Sequence, residues 1–285
     1  MKSTSALRKL LKSGKTLIAP GVFDGLSAQL VEQAKFQVVY ASGGAISRSA
    51  GYPDLGLLSF AEVIERLAQI VQATTLPVIA DADTGYGNAL NVFRTVQQYE
   101  QMGVAALHLE DQSFPKRCGH LDDKKLIPTD EMAQKIKAAC EARQDSDLVI
   151  IARTDAIAVE GFDSAIARAQ AYVKAGADML FIEAPQSLEQ IEKIAKTIPQ
   201  PKLINLFYGG KTPLVPIEQL QKLGYSLVII PSDLQRAAIK AMQKTLQIIH
   251  RDGDSKAMAD EMVSFKDRET IIGTQRWLDI DKKIS

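Results

Sequence analysis

Eight times along the chain, a short run rich in aliphatic and β-branched residues is followed by a stretch with helical spacing. The runs are TLIAP (16–20), FQVVYA (36–41), LPVIAD (76–81), AALHLE (105–110), LVIIAR (148–153), DMLFIE (178–183), PKLINL (201–206) and SLVIIP (226–231). The intervening stretches, such as SFAEVIERLAQIVQA and SLEQIEKIAKTI, place apolar residues at i, i+3, i+4 and i+7. Runs that are apolar on both faces belong in a parallel sheet covered by helices. Eight such units in succession predict closure into a (β/α)8 barrel; an open doubly wound sheet is the alternative. A length of 285 residues suits one such barrel.

The expected organisation is a single domain over 1–285, with the barrel reaching to about residue 251 and a helical extension over 252–285. Gly103, Gly176 and Gly224 follow helical stretches and suit left-handed C-caps, while Thr129 and Asp163 suit N-caps. The first 23 residues are basic and hold no Asp or Glu. They read as an amphipathic helix, ALRKLLKSG, with a transit peptide as the alternative. Lys+Arg and Asp+Glu balance at 34 each, so no basic excess points to nucleic acid. No apolar run approaches a membrane span. The two cysteines, Cys118 and Cys140, suit a reducing cytoplasm, and Cys140, in a helical pattern, is expected to be a small buried thiol.

Chemistry in a barrel sits at the C-terminal ends of the strands, and the polar residues gather there. Run two ends in Tyr40 and Ser42-Gly43-Gly44, run three in Asp81 and Asp83, and run four in His108, Glu110 and Asp111. Run five ends in Arg153, run six in Glu183, run seven in Asn205. Alternate strand residues point the same way, so Asp81 and Asp83 are expected to face the barrel mouth together. With Glu110 they form an oxygen-only set that favours Mg²⁺ or Mn²⁺; a hydrogen-bonded carboxylate pair without metal is the alternative. Arg153 offers a planar fork for a carboxylate, and the two glycines let backbone N–H groups approach an oxyanion. The mouth reads as a site for a small polyanion.

Between LHLED and the helix at Thr129 lie about 18 residues without periodicity, a length that suits a lid. This segment, with the sequence FPKRCGHLDDKK, puts Lys116, Arg117 and His120 beside Cys118. If they lie close in space, they favour a thiolate. A proton-transferring or nucleophilic thiol on a mobile lid follows; a merely exposed thiol is the alternative.

KRCGH after HLED, together with DADTGYG, ARTDA and SGG followed by GYPDLGLLSF, resembles the isocitrate lyase/phosphoenolpyruvate mutase superfamily, and within it the 2-methylisocitrate lyases and their close relatives. The resemblance runs from about Pro20 through the eighth helix. It implies a (β/α)8 barrel, Mg²⁺ dependence and cleavage of a carbon–carbon bond to release a 2-oxo acid. It also implies homotetramers that exchange the eighth helix. By position, Asp81 and Asp83 bind the metal, with Asp54 and Glu110 in its water shell. Ser42, Gly43, Gly44, Gly119, His120, Arg153, Glu183, Asn205 and Arg236 hold the substrate, and Cys118 is the proton donor. Tyr40 is the candidate base for the hydroxyl proton. Two departures matter. NLFYGGKTP is more similar to the dimethylmalate lyase and petal-death-protein branch. Phe265 stands where a substrate-binding arginine is expected, which favours a 2-alkylmalate over a tricarboxylate. A carboxyphosphonoenolpyruvate phosphonomutase and an oxaloacetate decarboxylase are the rival activities on this scaffold.

Overall fold

The computed structural model describes residues 2–119 and 121–285. Strands β1 Leu17–Val22, β2 Val39–Ala41, β3 Val78–Asp81, β4 Ala106–Glu110, β5 Val149–Thr154, β6 Met179–Ile182, β7 Lys202–Asn205 and β8 Tyr225–Ile230 overlap the eight apolar runs in order. Each strand pairs in parallel with the next, and β8 pairs with β1, so the sheet is a closed barrel. The expected (β/α)8 closure is borne out, and the open sheet is not.

The helices are α1 Ser3–Leu11, α2 Gly25–Gln33, α3 Gly43–Ser49, α4 Phe60–Ala73, α5 Ala89–Met102, α6 Thr129–Ala142, α7 Ala156–Val159, α8 Phe162–Lys174, α9 Leu188–Thr197, α10 Ile217–Lys222 and α11 Asp233–Asp252. A 3-10 turn at Lys256–Glu261, α12 Phe265–Ile272 and α13 Thr274–Ile284 follow. Among the described residues, no helix is long and apolar enough to cross a membrane.

Two apolar layers follow from the two-residue period of the strands. On β5, Ile150 and Ala152 face the helices, whereas Val149 and Ile151 face the barrel interior with Ile79, Met179, Phe181, Leu203 and Leu227. The α1 helix adds Leu7, Leu10 and Leu11 to this interior layer. The same parity carries each inward file upward into a polar residue. Ile79 is followed by Asp81, Ala106 by His108 and Glu110, Ile151 by Arg153, Phe181 by Glu183, and Leu203 by Asn205.

Gly103 is a left-handed C-cap at φ +99°, and Gly176 and Gly224 follow their helices at φ +111° and +77°. The N-cap expectations are corrected. Pro128 precedes α6, so Thr129 is its first helical residue, and Gly161 caps α8, leaving Asp163 in its first turn. Cys140 is only half-buried: α6 presents it at the rim of the core, with Sγ against the carbonyl of Gly176 at 3.3 Å. The short α3 was hidden by its glycines, which argue against a helix locally.

Candidate active site

A cavity of about 400 Å³ opens over the C-terminal ends of the strands, a volume suited to a small ligand. Its inner wall carries Tyr40, Ser42, Gly44, Asp81, Arg153, Glu183 and Asn205. Cys118 and Gly119 cover it from the loop after β4, and Phe207, Ile229, Pro231 and Ile239 give it an apolar side.

Asp81 ends β3 as expected, but Asp83 does not share its strand. The backbone turns at Ala82, Asp83 adopts φ +47°, and its N–H donates to Asp81 Oδ1 at 2.9 Å. A turn, not strand alternation, therefore brings the two acids together. Asp54, from the loop after α3, and buried Glu110 complete the group. Lys116 reaches in from the lid and sets its ammonium against Asp54 and, at 2.7 Å, Asp83 Oδ1.

Burial pushes Asp83 up to about 6, and the Asp81 and Asp54 charges act the same way against the pull of Lys116. Burial also drives Glu110 well above the usual carboxylate range, despite Arg153 and Lys116. Asp81 is equally buried, but His108, Lys116 and Arg153 hold it down at about 2. Arg153 Nη1 lies 3.1 Å from Glu110 Oε2, yet neither oxygen of Glu110 makes an aligned hydrogen bond among the described residues. Orphaned buried oxygens beside an excess of acid suit a hard dication. Among the described residues no three ligand side chains already converge on one point; the acids surround the Lys116 ammonium instead.

The glycines before these acids are dictated by space. A Cβ on Gly43 would lie 2.6 Å from Asp81 Oδ2, and one on Gly44 2.7 Å from Asp54 Oδ2. Ser42 caps α3 by accepting from the Ala45 N–H at 3.4 Å.

Arg153 meets Glu110, Asp155 and Glu183, and its guanidinium lies 5.0 Å from the centre of the Phe181 ring. Asn205 Nδ2 donates to Glu183 Oε2 at 3.3 Å. Arg236, in the first turn of α11, donates to the Tyr208 carbonyl at 2.6 Å and to Asp233 at 3.2 Å. The lid is down on this group. A Cβ on Gly119 would lie 2.5 Å from Arg153 Nη2 and 2.7 Å from Glu183 Cγ. The Cys118 N–H donates to the Asp54 carbonyl at 3.2 Å, and Lys124 bonds both the Gly119 carbonyl and Asp155.

Four expectations need correction or fall outside the structure. Lys116 sets its ammonium against Asp54 and Asp83, and Arg117 donates to the Asp122 carbonyl, so each cation has a partner besides the thiol. His120 lies outside the described residues. Burial and the Asp81 charge push the Tyr40 phenol well above its usual range, which runs against the expected role as base; its hydroxyl lies 2.8 Å from His108 Nε2 and 3.3 Å from Asp81 Oδ2. Phe265 does not line the cavity of its own chain. It begins α12, is 73 % exposed and stacks against Arg268, while the Ile271 carbonyl of that helix accepts from Gln33 on α2.

Sequence reasoning also left several participants without a role. Burial lowers His108 to about 4, so it stands neutral beneath the acids; its inward parity with Glu110 was the available signal. Lys116 was read as a neighbour of Cys118 and not as a counter-ion, Asp155 stood in ARTDA without a role, and Lys124 and Arg48 carried no local signal.

The fold and site together define a barrel enzyme with an acid-and-guanidinium mouth beneath a loop lid. The chain belongs to the phosphoenolpyruvate phosphomutase family, whose sequence profile matches residues 7–250. It is 40% identical to the 2,3-dimethylmalate lyase of Eubacterium barkeri over 99% of this chain and 98% of that one. It is 42% identical to the 2-methylisocitrate lyase of Aeropyrum pernix over 98% and 90%. A crystal structure of 2,3-dimethylmalate lyase superposes with a TM-score of 0.94 at 35% identity, covering 100% of this chain and 96% of that one. A crystal structure of phosphonopyruvate hydrolase, which holds oxalate and Mg²⁺, superposes at 0.90 with 34% identity over 99% of each. The expected family membership is borne out.

Proposed function

We propose that this chain is a Mg²⁺-dependent carbon–carbon lyase that splits a 2-hydroxy diacid of the 2-alkylmalate type into a 2-oxo acid and a second carboxylate. The observation that carries the reading is the seating of lid residue Gly119 against Arg153 and Glu183, which brings Cys118 over the acid-lined floor. Similarity to lyases over the full chain supports the class. The apolar side formed by Phe207, Ile229 and Pro231 supports a substrate with alkyl groups.

Asp81 and Asp83 would hold the cation, with Asp54 and Glu110 reaching it through water. When bound, Mg²⁺ supplies Lewis-acid stabilisation of the oxygen that becomes the 2-oxo group. The chain does the rest. Ser42 and the Gly43 and Gly44 amides orient the carboxylate beside the reacting carbon, and Arg153 with Asn205 orients the departing half. Glu183 keeps Arg153 and Asn205 in place, and Arg236 stands at the rim. The hydroxyl proton passes to an ionised carboxylate of the mouth, the bond between C2 and C3 breaks, and its electron pair goes to C3. Cys118 donates its proton to that carbon while the closed lid excludes water. Tyr40, still protonated, donates a hydrogen bond to the oxygen set.

Exposed apolar residues on α11 support homotetramers with α11 exchanged between subunits. The small-carboxylate cavity and balanced charge support a cytoplasmic metabolic role.

Competition kinetics test the substrate. With a 2-alkylmalate and 2-methylisocitrate in one tube and Mg²⁺ present, the alkylmalate is expected to have the higher kcat/KM. A preference for methylisocitrate overturns the diacid assignment. Turnover of a phosphonate or of oxaloacetate alone overturns the lyase.

A further inference from the structure

Among the described residues, four cations line the cavity: Arg48, Lys116, Arg153 and Arg236. Three are already matched by acids. Lys116 lies between Asp54 and Asp83, Arg153 among Glu110, Asp155 and Glu183, and Arg236 against Asp233. Arg48 is different. Among the described residues no carboxylate lies within ion-pair distance of it, and its hydrogen bond is to a neutral amide: Nε donates to Gln235 Oε1 at 2.8 Å.

That amide is itself fixed. Gln235 is 6 % exposed, and its Nε2 donates to the Ala45 carbonyl at 2.8 Å. Flipping it would set a donor against Arg48 and an acceptor against a carbonyl, so one orientation is enforced. Arg48 is thus held at Nε while its Nη nitrogens keep their donors. Helix geometry aims them. Arg48 stands one turn after Gly44, on the same face, and helical side chains lean toward the N-terminus. A Cβ on Gly44 would accordingly lie 3.3 Å from Arg48 Nη1. Asp54 is the nearby acid, and Lys116 holds its Oδ1.

We infer that Arg48 is a substrate-binding cation, positioned by Gln235, that takes the outer carboxylate of the substrate, the one remote from the reacting hydroxyl carbon. The inference rests on the lyase reading of the cavity and adds the group that selects a diacid over a monoacid. Arg153 can still orient the departing half by hydrogen bonds, but a cavity whose other cations are neutralised by its own acids has little net charge left for a second substrate carboxylate. Arg48 supplies that charge, with a fork that matches carboxylate geometry.

Calorimetric binding with Mg²⁺ tests this, using malate, which has an outer carboxylate, and oxalate, which has none. Arg48→Gln is expected to weaken malate on the order of 10- to 100-fold, the effect of one lost charged hydrogen bond, and to leave oxalate unchanged. Arg48→Lys, with charge but no fork, should fall between. In turnover of a 2-alkylmalate, Arg48→Gln should raise KM by more than it lowers kcat. Gln235→Leu should weaken malate in the same direction, and Gln235→Glu, which sets a carboxylate against Nε and neutralises Arg48, should weaken it as well. If the wild-type chain binds both anions and Arg48→Gln changes neither, or weakens both equally, the role of Arg48 falls and the lyase reading stands. If the wild-type chain binds neither, the reading of the cavity falls and this inference with it.

Discussion

Arg153 grips both carboxylate oxygens of Asp155, through Nε at 2.9 Å and Nη2 at 3.1 Å. Asp155 is anchored in turn by its own N–H, which donates to Asp111 Oδ1 at 3.0 Å, and by Lys124 at 3.2 Å. Because Lys124 also bonds the Gly119 carbonyl, one buried acid links the aim of the guanidinium to the seating of the lid.

Lys124→Met should loosen the lid while keeping the apolar stem. The expected result is faster proteolytic cleavage within 113–127 and a kcat lower by on the order of 100-fold, since small displacements of catalytic groups have effects of that size. A variant with normal kcat and an equally protected lid would show that the latch is decorative.

Cys118→Ser retains size and hydrogen bonding but is a far weaker acid. It should lower kcat by roughly 10²–10⁴-fold, the contribution of a general acid, with little change in substrate affinity. Single-turnover kinetics in the presence of Mg²⁺ would check this, and near-normal kcat would exclude the thiol as proton donor.

The metal should show its hold through pH. Asp83 sits at about 6 in the folded chain, raised by burial above its unfolded value. A raised acid favours the fold below the unfolded carboxylate pKa, and that contribution is lost as pH rises through about 6. Above that pH the proton is off and the carboxylate can ligand a cation. The rise in Tm on adding Mg²⁺ to EDTA-treated protein should therefore be larger at pH 7.5 than at pH 5. An equal or larger shift at pH 5 would remove Asp83 from the ligand set. Asp81→Ala should abolish the shift.

The α11 helix carries Ile239, Met242, Leu246 and Ile249 along one face, at 38%, 56%, 65% and 41% exposure. Spacings of three and four residues make them a continuous stripe. If subunits exchange this helix, Leu246→Glu removes about 1.5–3 kcal/mol of burial at each contact and adds a charge. Sedimentation velocity should then show tetramer giving way to smaller species. An unchanged sedimentation coefficient would exclude this stripe from the interface.

Several features were written locally. The alternation that sends Val149 and Ile151 inward also sends Arg153 inward, because strand side chains alternate with a period of two. The same parity delivered Asp81, Glu110, Glu183 and Asn205 to one mouth, so the barrel and most of its site were legible from the order of the residues. The Asp81–Asp83 pair was legible for the wrong reason, since a left-handed turn, not the strand, brings them together.

What the tertiary structure alone decided concerns partners distant in sequence. Lys116 looked like a neighbour of Cys118 but serves Asp54 and Asp83, because burying those acids without a cation is costly. Arg48 carried no motif and gains meaning only when Gln235, on a helix at the far end of the chain, fixes it over Gly44. Phe265 sat at a promising position by resemblance, yet its helix leaves it exposed outside the cavity of its own chain. Periodicity dictates which way a side chain faces within its element. Which charge meets which across the mouth depends on how the barrel closes and where the lid comes down, and no local pattern encodes that.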